Sequence, residues 1–137
     1  MSDRNKALVH RWVDDLWHRF DFSDATAFVA EDLRFRSNQV PPANGLSALQ
    51  ATIAGIRAGF PDGRFTIDEL VAEGDTVVQR WTFRGTHQGE WAGIAATGNP
   101  VEFTGTATFH FKDGKIAEHS ADWDALLMMQ QLGAVKG

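Results

Sequence analysis

The sequence contains no cysteine and no tyrosine. Without cysteine there is no disulfide, no thiolate nucleophile and no cysteine-ligated zinc. Such a chain suits a reducing compartment, and a cytoplasmic location is expected. Without tyrosine, no phenol is on hand to stabilise an enolate. Basic charge is also short: 13 Lys and Arg stand against 18 Asp and Glu, for a net charge of -5, and the arginines are scattered. Nucleic-acid binding needs clustered basic residues against phosphates, so that class is set aside. No apolar run approaches the roughly 20 residues that span a bilayer. The opening MSDRNKALVH lacks the apolar stretch of a signal peptide, so no membrane partner is expected. No H-E-x-x-H, H-x-H or G-x-S-x-G occurs, so neither a metal site nor a serine hydrolase is expected, and no cofactor is implied.

Aromatic residues are plentiful, with five Trp and ten Phe among 137 residues. That length suits one domain spanning 1–137. Leu8, Val9, Trp12, Val13, Leu16, Trp17 and Phe20 recur at helical spacing, which predicts a long amphipathic helix with Ser2 at its cap. SDATAFVA (23–30) predicts a second, short helix. Leu46, Leu49, Ile53, Ile56 and Phe60 mark a third. Strands are predicted over 33–37, 65–71, 76–86, 101–111 and 115–124, with QVPPANG as a break and 87–100 as a loop. ALLMMQQL predicts a short C-terminal helix capped by Asp124. The order ααβαββββ plus that helix predicts an α+β fold. Three N-terminal helices would pack on a curved, mostly antiparallel sheet. The cone this makes has a mouth suited to a pocket.

The pair FTGTATFHF-KDG-KIAEHSADWD predicts a hairpin with a three-residue loop and Gly114 in the left-handed region. Ala107 would then face His119, and Phe103 would face Trp123. Odd-numbered residues share the inner face, where His119 is the one group suited to acid–base work. Thr104, Thr106, Thr108, Glu118, Ser120, Asp122 and Asp124 share the outer face. The pocket is expected to be apolar and ~300–1,000 Å³ in volume. Its expected ligand-binding residues are Trp17, Ser37, Trp81, Phe103, Phe109 and Trp123, beside the catalytic candidate His119. The outer face is expected to pair two copies into a homodimer. The roles of Arg36 and Asn38 stay open.

The stretch FPDGRFTIDELVAEGDTVVQRWTFRGTHQGEWAGIAATGNPVEFTG, with FKDGKIAEHSADWDALLMMQQLG, resembles the SnoaL-like polyketide cyclases of the nuclear-transport-factor-2-like superfamily. The resemblance runs over roughly residues 5 to 133. It implies the cone fold, and cofactor-free ring closure in which a carboxylate removes a proton next to a carbonyl. Anchored on DGKI and QQLG, it puts the family's aspartate at Ala121 and an inner-face histidine at Ala107. His119 matches a family histidine, and Asp124 a frequent aspartate at the strand's end. Asp122 is one residue from the aspartate position, and on a strand one residue means the opposite face. Only a β-bulge near 119–122 would turn it inward. Two readings stand. One is a cyclase, isomerase or hydratase of small carbonyl compounds, aromatic or polyketide-like, that works through His119. The other is a non-catalytic module that binds a small molecule or only dimerises.

Overall fold

Odd-numbered apolar residues from successive strands build one face of a six-stranded sheet. The computed structural model describes residues 2–38 and 40–135. In chain order the elements are helix α1 (Ser2–Arg11), a π-helical continuation (Trp12–His18), a single 3₁₀ turn (Ala25–Ala27), β1 (Val29–Ser37), β2 (Val40–Asn44), α2 (Leu46–Gly59), β3 (Arg64–Glu73), β4 (Thr76–Thr86), β5 (Pro100–Lys112), β6 (Lys115–Trp123) and α3 (Ala125–Gln131). The sheet order is β2-β1-β6-β5-β4-β3. All neighbours run antiparallel except β1 and β6. The architecture is the expected α+β cone of helices on a curved sheet.

Burial alternates along β5, where odd residues from Val101 to Phe111 are buried and most even ones exposed. That is the period-2 pattern of a sheet wet on one face. Against the inner face lie Val9, Trp12, Val13 and Leu16 of the first helix and Leu49 and Ile53 of α2, all buried. The first helix begins at Ser2, which is thus its first helical residue rather than the expected cap. Its second half has an Arg19 N–H donating to the Asp14 carbonyl at 3.0 Å, an i→i+5 bond. Wider π winding stacks residues five apart rather than four. Trp12 and Trp17 therefore come to the same side of the helix, and both point into the cone.

Three expectations need correction. The helix over 23–30 shrinks to one 3₁₀ turn, because Phe28 is drawn into the core and Val29 already begins strand β1. Ser23 donates through both its N–H and its hydroxyl to Asp21 Oδ1, a side-chain turn that competes with helix. The break at QVPPANG contains strand β2, paired to β1 through Phe35 with Ala43 and Ser37 with Val40. Pro41 and Pro42 are tolerated because β2 is the sheet's edge, where a missing donor faces no neighbour. Gln39 lies outside the described residues.

The hairpin between β5 and β6 is the third. Asp113 (φ 53°) and Gly114 (φ 78°) are both left-handed, a two-residue turn in place of the expected three. Lys112 pairs with Lys115, His110 with Glu118, and Phe111 with Ile116, leaving Ala117 as a bulge. Each change shifts the register by one residue, so the two together shift it by two. Phe109 thus faces His119, and Ala107 faces Ala121. A two-residue shift preserves which face each side chain takes.

Candidate ligand-binding site

The helices and the sheet enclose a cavity of about 80 Å³. It is far narrower than the expected range, and roughly half of the ~150 Å³ that takes a benzene ring. The aromatic residues are the reason. A β-carbon at Gly105 would overlap the indole of Trp81, so the glycine lets that ring lie flat across the strand. Phe103 then packs on Trp123 at 5.0 Å and on Phe83 at 5.3 Å between ring centres. The rings fill most of the cone.

Of the expected ligand-binding residues, Trp17, Ser37, Trp81, Phe103 and Trp123 line this cavity together with His119. Phe109 does not. It is fully buried beneath His119, edge-on to the imidazole at 4.8 Å and to Trp12 at 5.4 Å. The observed register sets Phe109 directly opposite His119, and the imidazole and Trp12 cover it.

His119 packs nearly parallel to two rings, Phe35 at 4.8 Å and 10° and Trp12 at 5.1 Å and 16°, which lie 6.4 Å from each other. Burial of the imidazole pushes its pKa down from 6.5 to about 3, partly opposed by a hydrogen bond with its own backbone. The ring is therefore neutral at physiological pH. Its Nδ1 is buried without a hydrogen-bond partner.

Among the described residues no carboxylate lines the cavity. Asp122 is exposed, pairs with Thr106 and belongs to the outer face. Strand β6 runs in unbroken register from Glu118 to Ala121 beside β1 and from Glu118 to Trp123 beside β5, so no bulge turns Asp122 inward. Asp124 accepts from the Leu127 N–H at 3.0 Å and caps α3. HSADWD therefore contributes an inner imidazole, an exposed carboxylate and a helix cap rather than a catalytic cluster.

Arg36 and Asn38 prove structural. Arg36 Nη1 donates to the Phe35 carbonyl at 2.8 Å, and both its terminal nitrogens reach Asn44 Oδ1, tying β1 to β2. Asn38 accepts from the Trp123 N–H at 2.9 Å and donates to the Trp123 carbonyl at 3.0 Å. The Trp123 indole N–H is shared between Ser37 Oγ and the Asn38 carbonyl. Trp123 is thus fixed at the cavity wall from both backbone and ring.

Sequence reasoning missed Gln79, Trp91 and the remaining aromatic wall. Gln79 is 3% exposed and lines the cavity, on the inner parity of β4 with Val77, Trp81 and Phe83. Its position in that odd-numbered series was the available signal. Trp91 stands on a tight turn with left-handed Ala92 and Gly93 and meets Trp123 edge-on at 6.2 Å. This loop is bolted to α2 by the Gln88 and Gly89 N–H groups, which both donate to the Gly59 carbonyl. Trp91 is half-buried and lines the cavity.

The other histidines serve elsewhere. His18 Nε2 accepts from the Phe65 N–H at 2.9 Å, and burial lowers its pKa ahead of the charge of Arg64. His87 is fully buried, and its Nδ1 accepts from the Thr97 N–H, holding the loop closed. Among the described residues no three His, Asp or Glu side chains converge as metal ligands, and no helix is long and apolar enough to cross a membrane.

Comparison with known proteins fits this geometry. The family model of the SnoaL-like polyketide cyclases matches residues 7–132. TsrD from Streptomyces laurentii superposes with a TM-score of 0.86 at 27% identity, covering 97% of each chain. AclR from Streptomyces galilaeus, a candidate hydroxylase, superposes at 0.83 with 28% identity over 100% of this chain and 85% of its own. A candidate SnoaL-like polyketide cyclase from Jannaschia sp. CCS1 reaches 0.87 at 22% identity, covering 97% and 94%, and shows the fold alone. No curated protein matches. With its cone, its ring-lined cavity and a family match over nearly its whole length, the chain belongs to the SnoaL-like polyketide cyclase family.

Proposed function

We propose that this chain takes a small, uncharged carbonyl compound, aromatic or polyketide-like, into the cavity, whose lining rings move apart to admit it, and moves a proton beside the carbonyl through His119, without a cofactor. One observation carries the reading: among the described residues every one that lines the cavity is uncharged, and the only one of them that titrates near neutrality in water is His119. An apolar wall selects against ionic ligands, because stripping a charge of water is costly. Family membership supports the polyketide-like class.

A base with a pKa of about 3 is weak. It suits a C–H bond already acidified by two flanking carbonyls, as in a 1,3-diketone. The imidazole nitrogen takes that proton, the C–H electron pair becomes the enolate double bond, and the carbonyl oxygen takes the charge. The imidazolium, strongly acidic in this setting, then returns the proton to oxygen. Ring closure would use the same enolate on a second carbonyl.

A second reading, binding without turnover, is favoured by the absence of a partner that would orient Nδ1. Adding 1-phenyl-1,3-butanedione separates the two. Quenched tryptophan fluorescence with faster keto–enol interconversion, followed by ultraviolet absorbance, is expected of the enzyme. Quenching without acceleration identifies a binding module, and neither effect overturns the ligand class.

Two copies of the chain are proposed to pair through the outer sheet face. Thr104, Thr106 and Ser120 are exposed there, and Thr108 and Glu118 half-exposed. Small side chains on an open sheet face permit close approach of a second sheet. Sedimentation at micromolar concentration is expected to give a dimer, and monomer alone contradicts the pairing. The cysteine-free composition favours a reducing compartment such as the cytoplasm.

A further inference from the structure

Gln79 is a buried amide with no structural work assigned to it. It is 3% exposed, among rings and aliphatic side chains, and among the described residues its amide makes no hydrogen bond. Its amide atoms are open to the cavity rather than sealed in protein. A buried amide normally finds partners, because leaving its donors unmet costs stability.

Register places this amide at the end of a row. Gln79 pairs with Ala107, Ala107 with Ala121, and Ala121 with Ser37. Three strand spacings make the row about 14 Å long between backbones. Of its two middle positions, Ala121 presents its methyl group to the cavity, and Ala107 is fully buried outside the lining. His119 stands two residues from Ala121 on β6, on the same face and about 7 Å along the strand. A flat ligand resting on Ala121 thus meets the imidazole at one edge and the Gln79 amide, which lines the same cavity, at another.

We propose that the Gln79 side-chain N–H donates to the ligand's carbonyl oxygen and stabilises the charge that gathers there as His119 takes the proton. It is the role that a phenol would fill, and the chain has no tyrosine. An amide has two N–H donors and no charge, so it recognises a neutral oxygen acceptor without importing a cation into an apolar box. This inference rests on the ligand class proposed above and adds a recognition group to it. The substrate class narrows to molecules that present a carbonyl oxygen across the β4 side of the cavity.

The test compares 1-phenyl-1,3-butanedione with butylbenzene, a hydrocarbon of similar shape without the oxygens, in wild type and in Gln79→Leu. Wild type is expected to prefer the diketone. Gln79→Leu is expected to weaken the diketone by roughly 2–10-fold, as for one neutral hydrogen bond, and to leave butylbenzene unchanged. Enolisation is expected to slow by about 10²–10³-fold, as when one oxyanion donor is removed. The variant is expected to melt at or above the wild-type temperature, since no bond of the fold is lost. Gln79→Met, of similar length, replaces it if the leucine variant does not fold. An undiminished preference for the diketone in the variant, or equal weakening of both compounds with a lower melting temperature, overturns the role. A wild type that binds both compounds equally also overturns it while leaving the cavity as a binding site. A wild type that binds neither compound removes the ligand class itself.

Discussion

Acidification from pH 7 to pH 4.5 is expected to destabilise the fold steeply, well before most carboxylates protonate. His119 has a folded-state pKa of about 3 against 6.5 in the unfolded chain. Between those values the unfolded chain binds a proton that the folded chain refuses. Stability is thus full above pH 6.5 and falls as the pH drops toward 3, at about 1.4 kcal/mol per pH unit in the interior of that window. By pH 4.5 the loss is ~3 kcal/mol, a large part of a typical domain's margin. The residues packed on the ring, Trp12 from the first helix, Phe35 from β1 and Phe109 from β5, carry no charge that could hold the proton. Asp21 and Asp62, whose pKa values are lowered from 3.8 by bonds from Ser23 and Thr86, begin to cost stability only near pH 3.8 and below, beneath the pH 4.5 of the comparison. His18 adds to the slope in the same direction. Urea unfolding at pH 7 and pH 4.5 measures the effect. His119→Phe, which keeps a ring against Trp12 and Phe35, is expected to remove most of it. Equal stability of wild type at both pH values contradicts a buried neutral imidazole.

The second large effect concerns the two residues of HSADWD that could do chemistry. His119→Ala is expected to reduce enolisation of 1-phenyl-1,3-butanedione by 10²–10⁴-fold, the usual cost of losing a general base. Asp122→Asn is expected to change it little. Asp122 is exposed on the opposite face of β6, and a base must come within about 3 Å of the proton it removes. The rate should also be level from pH 5 to 8, because a base with a pKa of about 3 stays in one form throughout. Loss of turnover in Asp122→Asn with little change in His119→Ala reverses the assignment.

Strand periodicity made the inner face legible. Parity alone puts His119, Trp81, Phe103 and Trp123 inward, and the two one-residue departures at the β5–β6 hairpin add to an even shift that keeps them there. Only a net odd shift would have exposed them. The π winding of Trp12–His18 was not legible, because residue spacing of 3, 4 and 5 blurs together over two turns. Strand β2 was hidden by its prolines, which argue against a strand everywhere except at an edge. Cavity size was out of reach as well. Parity says which side chains point inward, but not that Trp81 lies flat over Gly105 and takes the space. Phe109 shows the same gap: it points inward, yet His119 and Trp12 stand between it and the cavity. Gln79 was available in the sequence as the one polar residue in the odd series of β4.

The central claim is that this cavity holds a neutral imidazole in a box without carboxylates. The most direct test is an NMR titration of the His119 ring in the folded protein from pH 8 downward. The expected result is no protonation of His119 down to the pH at which the fold is lost, or to about pH 4 where it persists. A midpoint at or above 6.5 would require a carboxylate or bulk water at the ring and would contradict the site described here.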